Sequence, residues 1–390
     1  MVQLLVQSRN GLESAGINAV QSLFFYGTLC HLPLLEVVLG RKAGAVAASL
    51  PDFTVSWVQD QAFPMIAPLA GGTACGVLVR GLDAADMARI TFYTAGYSVQ
   101  SRALSVKTDT GAESAVVYFP DTGVWRPGRP WMLADWADVW GDTVVATAGD
   151  VMALFGVTDA GAVGKRRTAM LVRGAGRVRA ARISPATLRR QPLPGDVEVA
   201  QRHFPYANFF AVEEYDLSFR RFDGSMSAVV NRATFVSGDA VTVLPYDTVR
   251  DRVLLVEQFR AGPFGRGDAN PWQLEAVAGR IDPGETAEAA ARREAVEEAG
   301  LQLGALLPVA EYYPTPAAKT EYLYSYLALC DLPDGVAGVF GVPGEAENIR
   351  GHLVSFDQLM ELVASGEISN APLILTALWL QRERLRLRAA

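Results

Sequence analysis

Cysteine, long apolar runs and an excess of positive charge are what this chain lacks. It has three cysteines in 390 residues, Cys30, Cys75 and Cys330. They are widely separated and odd in number, which excludes a disulfide framework and a zinc-ligand spacing, so they read as reduced thiols of a cytoplasmic protein. No apolar run is long enough to cross a bilayer, so no membrane partner is expected. The opening MVQLLVQSRNGLESAG has no basic segment followed by an apolar core, so no signal peptide is expected either. The formal net charge of −7 argues against general nucleic-acid binding. No internal repeat is present. What remains is an ordinary globular composition, 50% hydrophobic and 20% charged, long enough for more than one domain.

The sharpest shift in composition lies between Lys165 and Arg190, which holds nine basic residues and no acid. The run QPLPGD follows, with the turn-forming Pro192, Pro194 and Gly195. This predicts two domains, residues 1–190 and 191–390. The basic stretch could face an acidic partner or RNA. It reads better as a solvated helix and connector.

The chemistry concentrates in GRIDPGETAEAAARREAVEEAGL, from Gly279 to Leu301. Asp282, Pro283 and Gly284 form a turn, Thr286 is placed to cap a helix, and Glu288 sits in its acidic first turn. The run from Ala287 to Ala299 is rich in strong helix formers, and Gly300 suits the left-handed residue that ends it. Arg293 lies two turns after Glu285 and can reach back to it. On that helix Glu294, Glu297 and Glu298 share a face, because residues three and four apart are neighbours. Three adjacent carboxylates repel one another unless a cation lies among them, and an all-oxygen, highly charged ligand set suits Mg²⁺ or Mn²⁺.

Gly279, Glu285, Arg293, Glu294, Glu297, Glu298, Gly300 and Leu301 fall on the pattern of the Nudix box, with only the small Ala295 weak at an apolar position. The segment from Gly195 onward resembles the ADP-ribose pyrophosphatase branch of that family. The resemblance implies an α/β/α sandwich and Mg²⁺-dependent cleavage of the diphosphate of ADP-ribose to AMP and ribose 5-phosphate. It also implies a homodimer made by exchanged opening strands, here Phe209 to Phe235. It assigns metal ligation to Glu294, Glu297, Glu298 and the carbonyl of Ala278. Adenine stacking falls on Phe209 or Phe210, and diphosphate or ribose binding on Arg232 and Arg260. Pro316 matches the branch's proline past the box. The water-activating base falls on Glu345, with Glu347 as its near neighbour. Ala233 replaces a glutamate common after the first of these arginines, which keeps another nucleoside diphosphate sugar, such as GDP-mannose, as an alternative substrate.

The pattern beyond the box predicts a hairpin turning at Asp223-Gly224 and paired strands AVTVLPYD and VLLVEQFR. It also predicts strands at Trp272–Val277 and in EYLYSYLALC, and a last helix from Ala371 to Leu387.

In the first half, Phe25-Tyr26-Gly27-Thr28-Leu29 lies between an apolar run and the helix-like CHLPLLEVVLGR. Such a turn can present backbone N–H groups to a carboxylate. It resembles the Tyr-Gly-Thr-Leu motif of the γ-glutamylcyclotransferase-like (AIG2-like) family, which implies a small β-barrel with helices. The overall class is therefore α+β. In that family a glutamate serves as the acid at the place where this chain has Thr94. A hydroxyl cannot shuttle protons there. The domain is expected to lack cyclotransferase activity unless Asp109 or Glu113 substitutes. A ligand-binding or bifunctional role for it, directed at a γ-glutamyl or amino-acid metabolite, is the competing reading.

Overall fold

The computed structural model describes residues 20–97, 99–182, 185–341 and 347–389. The chain divides after Arg182 into two compact units.

The first unit contains β1 (Gln21–Phe25), α1 (Leu32–Leu39), β2 (Ala45–Val58), β3 (Pro64–Leu82), α2 (Ala84–Thr94), β4 (Val99–Thr108), β5 (Gly111–Pro120) and β6 (Pro127–Pro130). Then come α3 (Leu133–Trp136), α4 (Asp142–Ala153), α5 (Ala160–Gly164) and α6 (Arg167–Ala180). The strands run in the order β3-β1-β5-β4-β2, and β2 pairs with β3 to close a barrel. Phe24, Leu50, Ile66, Leu78, Val106, Val117 and Phe119 fill it. Gly76 has to be glycine, since a Cβ there would lie 2.0 Å from the Phe25 carbonyl oxygen on the neighbouring strand.

The helix within the basic stretch is not solvated, although the connector after it is largely exposed among the described residues. On α6, Met170, Val172, Arg173, Gly174 and Ala175 are buried. A Cβ on Gly174 would sit 2.3 Å from Thr147 Oγ1 on α4. Arg177 pairs with the buried Asp150. Composition hid an apolar face that is only a few residues wide.

The second unit opens with a three-stranded antiparallel sheet, β7 (Val197–Ala207), β8 (Ala211–Phe219) and β9 (Val230–Val236). The β8–β9 hairpin turns at Asp223, which accepts from the Ser225 N–H at 2.9 Å. The main sheet is built from β10 (Ala240–Asp247), β11 (Arg252–Phe259), β12 (Trp272–Glu275), β13 (Val277–Arg280), β14 (Leu306–Tyr312), β15 (Leu323–Leu329), β16 (Val339–Phe340) and β17 (Ile349–Ser355). Its backbone order is β14-β15-β10-β11-β17-β16, with β12 on β11, β13 on β10, and β10 and β15 parallel.

A short helix α7 (Ala261–Arg266) precedes β12, and α8 (Ala287–Ala299) follows β13. Helices α9 (Phe356–Ser365) and α10 (Ala371–Arg388) end the chain. Helix α8 covers one face of the sheet over Val241, Val243, Leu254 and Val256. Helices α9 and α10 cover the other over Leu244, Tyr246, Val253 and Leu255. Because both faces are covered, β10 and β11 are nearly continuous apolar runs rather than alternating ones.

The β10–β11 turn hangs on Asp247, 2% exposed. It accepts from the N–H groups of Val249 and Arg250, each at 2.9 Å, from Leu332 N–H at 3.1 Å, and from Arg250 Nη1 at 2.7 Å. Burial opposes ionisation, but these donors outweigh it and bring the carboxyl from 3.8 down to about 2. A depressed acid stabilises the fold above its unfolded value and loses that contribution as pH falls through its folded one. Asp247→Ala is therefore expected to cost about 2–4 kcal/mol at pH 7, the toll of stranded buried donors. The difference from wild type should shrink as pH falls from 4 to 2. Urea unfolding across that range checks both.

Candidate functional site

The loop from β13 to α8 is built as its sequence requires. Gly284 adopts a positive φ of 81°, Thr286 Oγ1 caps α8 by accepting from Ala289 N–H at 3.1 Å, and Gly300 ends it at φ 63°. Arg293 ties loop to helix. Its Nε and Nη2 donate to the two oxygens of Glu285 at 3.1 and 3.0 Å, and Nη2 also donates to the Arg280 carbonyl at 2.9 Å.

Glu298 points inward and is 3% exposed. One carboxyl oxygen accepts from Ala278 N–H at 3.0 Å and the other from Gln258 Nε2 at 3.3 Å. Both donors are neutral. Burial, joined by the charge of Glu294, pushes its pKa up to about 8, against the pull of the Ala278 N–H. Glu294 rises to about 7, mainly through burial, with Arg293 opposing and Glu297 and Glu347 adding repulsion. Its carboxyl lies against Gly279, where a Cβ would come within 1.9 Å of it.

The three acids share one side of α8, as expected, but they do not converge on a point. Arg293 Nη1 donates to Glu294 at 2.6 Å and to Glu297 at 3.1 Å, while Glu298 turns toward Ala278. Among the described residues no three acidic, imidazole or thiol groups form a ready coordination shell. Helical spacing makes neighbours of these carboxylates without saying which cation separates them, and here the guanidinium does so. The donor set nonetheless fits a hard divalent ion. A buried carboxyl with only neutral donors is costly to ionise, and hard cations take carboxylate oxygens.

The expected substrate residues are placed unevenly. Phe209 is 54% exposed, and the Arg280 guanidinium lies 3.9 Å from its ring centroid. Phe210 packs on it at 4.8 Å and on Phe235 at 4.7 Å. Pro316 lies in an exposed turn beside that cluster, because Phe235 N–H donates to the Ala318 carbonyl at 2.8 Å. Arg260 pairs with Glu275 at 2.8 Å, its charge reaches Glu298, and it lines an open cleft with Arg266, Gln273 and Asn370. Arg232 is exposed on β9 and donates to the Asn231 carbonyl; among the described residues it makes no contact with the α8 acids. Glu345 lies outside the described residues. Gln258, Glu275 and Arg280 were not expected at the site. For Arg280 a signal existed, a basic residue directly after the box's first glycine.

The first unit holds a separate cavity lined by Tyr26, Gly27, Thr28, Phe63, Met65, Tyr93, Thr94, Tyr97, Tyr118 and Trp125, among others. No acid lines it among the described residues. The Thr94 hydroxyl is spent on the Ile90 carbonyl at 2.8 Å. Glu113 pairs with Arg80 away from the cavity, and Asp109 lies in the β4–β5 turn. Burial holds the Tyr93 phenol up at about 12 and that of Tyr26 higher still. The described lining therefore offers no proton acceptor at neutral pH.

Arg293→Gln leaves the α8 acids without their internal cation. It is expected to cost about 2–4 kcal/mol in chelator, with most of the loss recovered on adding millimolar Mg²⁺. Thermal melts with and without the ion check this; a loss untouched by Mg²⁺ would contradict the fit.

A NUDIX domain model matches residues 236–376, and a model described as gamma-glutamyl cyclotransferase, AIG2-like, matches residues 23–138. The chain is 39% identical over 186 residues to a protein of Escherichia coli (strain K12) named ADP-ribose pyrophosphatase, covering 48% of this chain and 88% of that one. A Haemophilus influenzae protein of the same name is 31% identical over 188 residues, 48% of this chain and 86% of its own. A protein of Escherichia coli (strain K12 / DH10B) named GDP-mannose pyrophosphatase is 29% identical over 178 residues, 46% and 91% of the two chains. The box geometry and these matches agree: through its second unit the chain belongs to the Nudix hydrolase family, with an AIG2-like domain ahead of it.

Proposed function

We propose that the second unit hydrolyses the diphosphate of a nucleoside diphosphate sugar, that ADP-ribose is its substrate, and that AMP and ribose 5-phosphate are the products. The buried Glu298 carboxyl, held by two neutral donors beside Glu294, carries this reading. Relatives named ADP-ribose pyrophosphatase at 39% and 31% identity favour ADP-ribose over GDP-mannose at 29%.

In this reading Glu294, Glu297, Glu298 and the Ala278 carbonyl hold Mg²⁺ or Mn²⁺. When bound, such ions supply Lewis-acid polarisation of the diphosphate and of water. Arg293 keeps the acids in register with Gly279 through its grip on Glu285. Arg260 offers a guanidinium to phosphate oxygens. Phe209, braced by Arg280, offers a face to the purine, and the Pro316 turn borders it. Arg232 is assigned to the substrate by resemblance and needs a rearrangement or a second copy to reach it. Glu345 takes the proton as water oxygen bonds to phosphorus and the bridging P–O bond breaks. Val197, Val199, Phe219 and Phe222 stay exposed around the β7–β9 sheet, which favours a homodimer formed there. Ala233, opposite Glu214 across that sheet, offers no side-chain hydrogen bond to a base, which keeps GDP-mannose as the second reading. The first unit is read as lacking cyclotransferase chemistry, on the acid-free lining of its cavity.

The test is a phosphatase-coupled assay over a panel of nucleotide sugars with Mg²⁺, in which ADP-ribose should show the highest kcat/KM. Glu298→Gln should lose on the order of 10³-fold in turnover with its melting temperature held. Gly279→Ala should lose at least about tenfold by displacing Glu294. Wild-type-like turnover of Glu298→Gln would refute the assignment.

A further inference from the structure

We propose that the cavity of the first unit binds a planar aromatic ligand carrying no positive charge. Its walls are rings: Tyr26, Phe63, Tyr93, Tyr97, Tyr118 and Trp125. Three of them brace one another: Phe63 meets Tyr97 edge-to-face at 5.1 Å and 81°, and Trp125 at 5.2 Å and 86°. Flat apolar walls with phenol and Thr28 hydroxyls suit a flat molecule with a hydrogen-bonding edge.

Charge narrows the class. With no acid in the described lining, a ligand ammonium would lose its hydration and gain no counter-charge. That disfavours a free amino acid or γ-glutamyl compound, whose α-amino group is cationic at neutral pH. An aromatic cage can take a cation through its ring faces instead, but two of these rings already stack against a cation. The Arg167 guanidinium lies 4.7 Å from the Tyr93 ring centroid and 5.1 Å from that of Tyr97. It donates to the Tyr93 carbonyl, and among the described residues no carboxylate pairs with it. A second cation on these rings would be repelled, whereas a neutral or anionic ring would not. The inference rests on the reading that this cavity performs no cyclotransfer and adds what occupies it instead.

Calorimetry on the full chain with five probes tests it: benzamide, benzoate, benzene, benzyltrimethylammonium and γ-glutamylalanine. Benzamide and benzoate should bind saturably, with the cation and the dipeptide at least tenfold weaker. Trp125→Ala should weaken benzamide at least tenfold and leave nucleotide-sugar turnover unchanged. If that variant fails to fold, Thr28→Val, nearly equal in volume, should weaken benzamide relative to benzene and so report on the polar edge. Equal or tighter binding of the cation or the dipeptide, no saturable binding of either ring, or undiminished affinity in the folded variant would overturn the proposal. Release of 5-oxoproline from the dipeptide, measured separately, would overturn the underlying reading as well.

Discussion

The candidate hydrolase site depends on the burial of one carboxyl. Glu298 lies under the β13 backbone, where Ala278 N–H and the Gln258 amide are its partners. Fixing it there requires β13 in register with β10, with Ala278 opposite Thr242, and α8 held against that strand by its apolar face, Ala290, Ala291 and Ala295. The small alanines on that face let helix and sheet approach closely, and the close approach is what dries the carboxyl. A larger side chain would lift the helix and let water reach Glu298. The acidic chemistry and the small-residue packing are thus one constraint.

Arg293 ties the acids to the loop. It spans Glu285, Glu294 and Glu297 and the Arg280 carbonyl, so a single guanidinium closes the loop and separates two acids. Glu294 and Glu297 would hold a divalent ion while sharing their charge with this guanidinium.

Local features were legible in the sequence because they are set by nearest neighbours: the Thr286 cap, the Gly300 terminus, the Glu285–Arg293 pair and the paired strands β10 and β11. Contacts made through strand register were not. Gln258 reaches Glu298 only because β11 and β13 are assembled in one sheet, and Glu275 meets Arg260 only through the pairing of β11 with β12. Helix α6 misled by composition, since its arginines mask the short face that buries it. The first unit teaches a related lesson. Its motif and barrel match a cyclotransferase-like domain, yet Thr94 turns its hydroxyl into its own helix and no acid lines the cavity among the described residues, so the fold alone does not carry the chemistry.

The most direct test of the central claim is to count bound metal. Mn²⁺ titrated into the full chain and followed by electron paramagnetic resonance should occupy saturable sites, and Glu294→Gln combined with Glu298→Gln should abolish the tightest of them. Unchanged Mn²⁺ binding in that double variant, with its fold intact, would contradict the account.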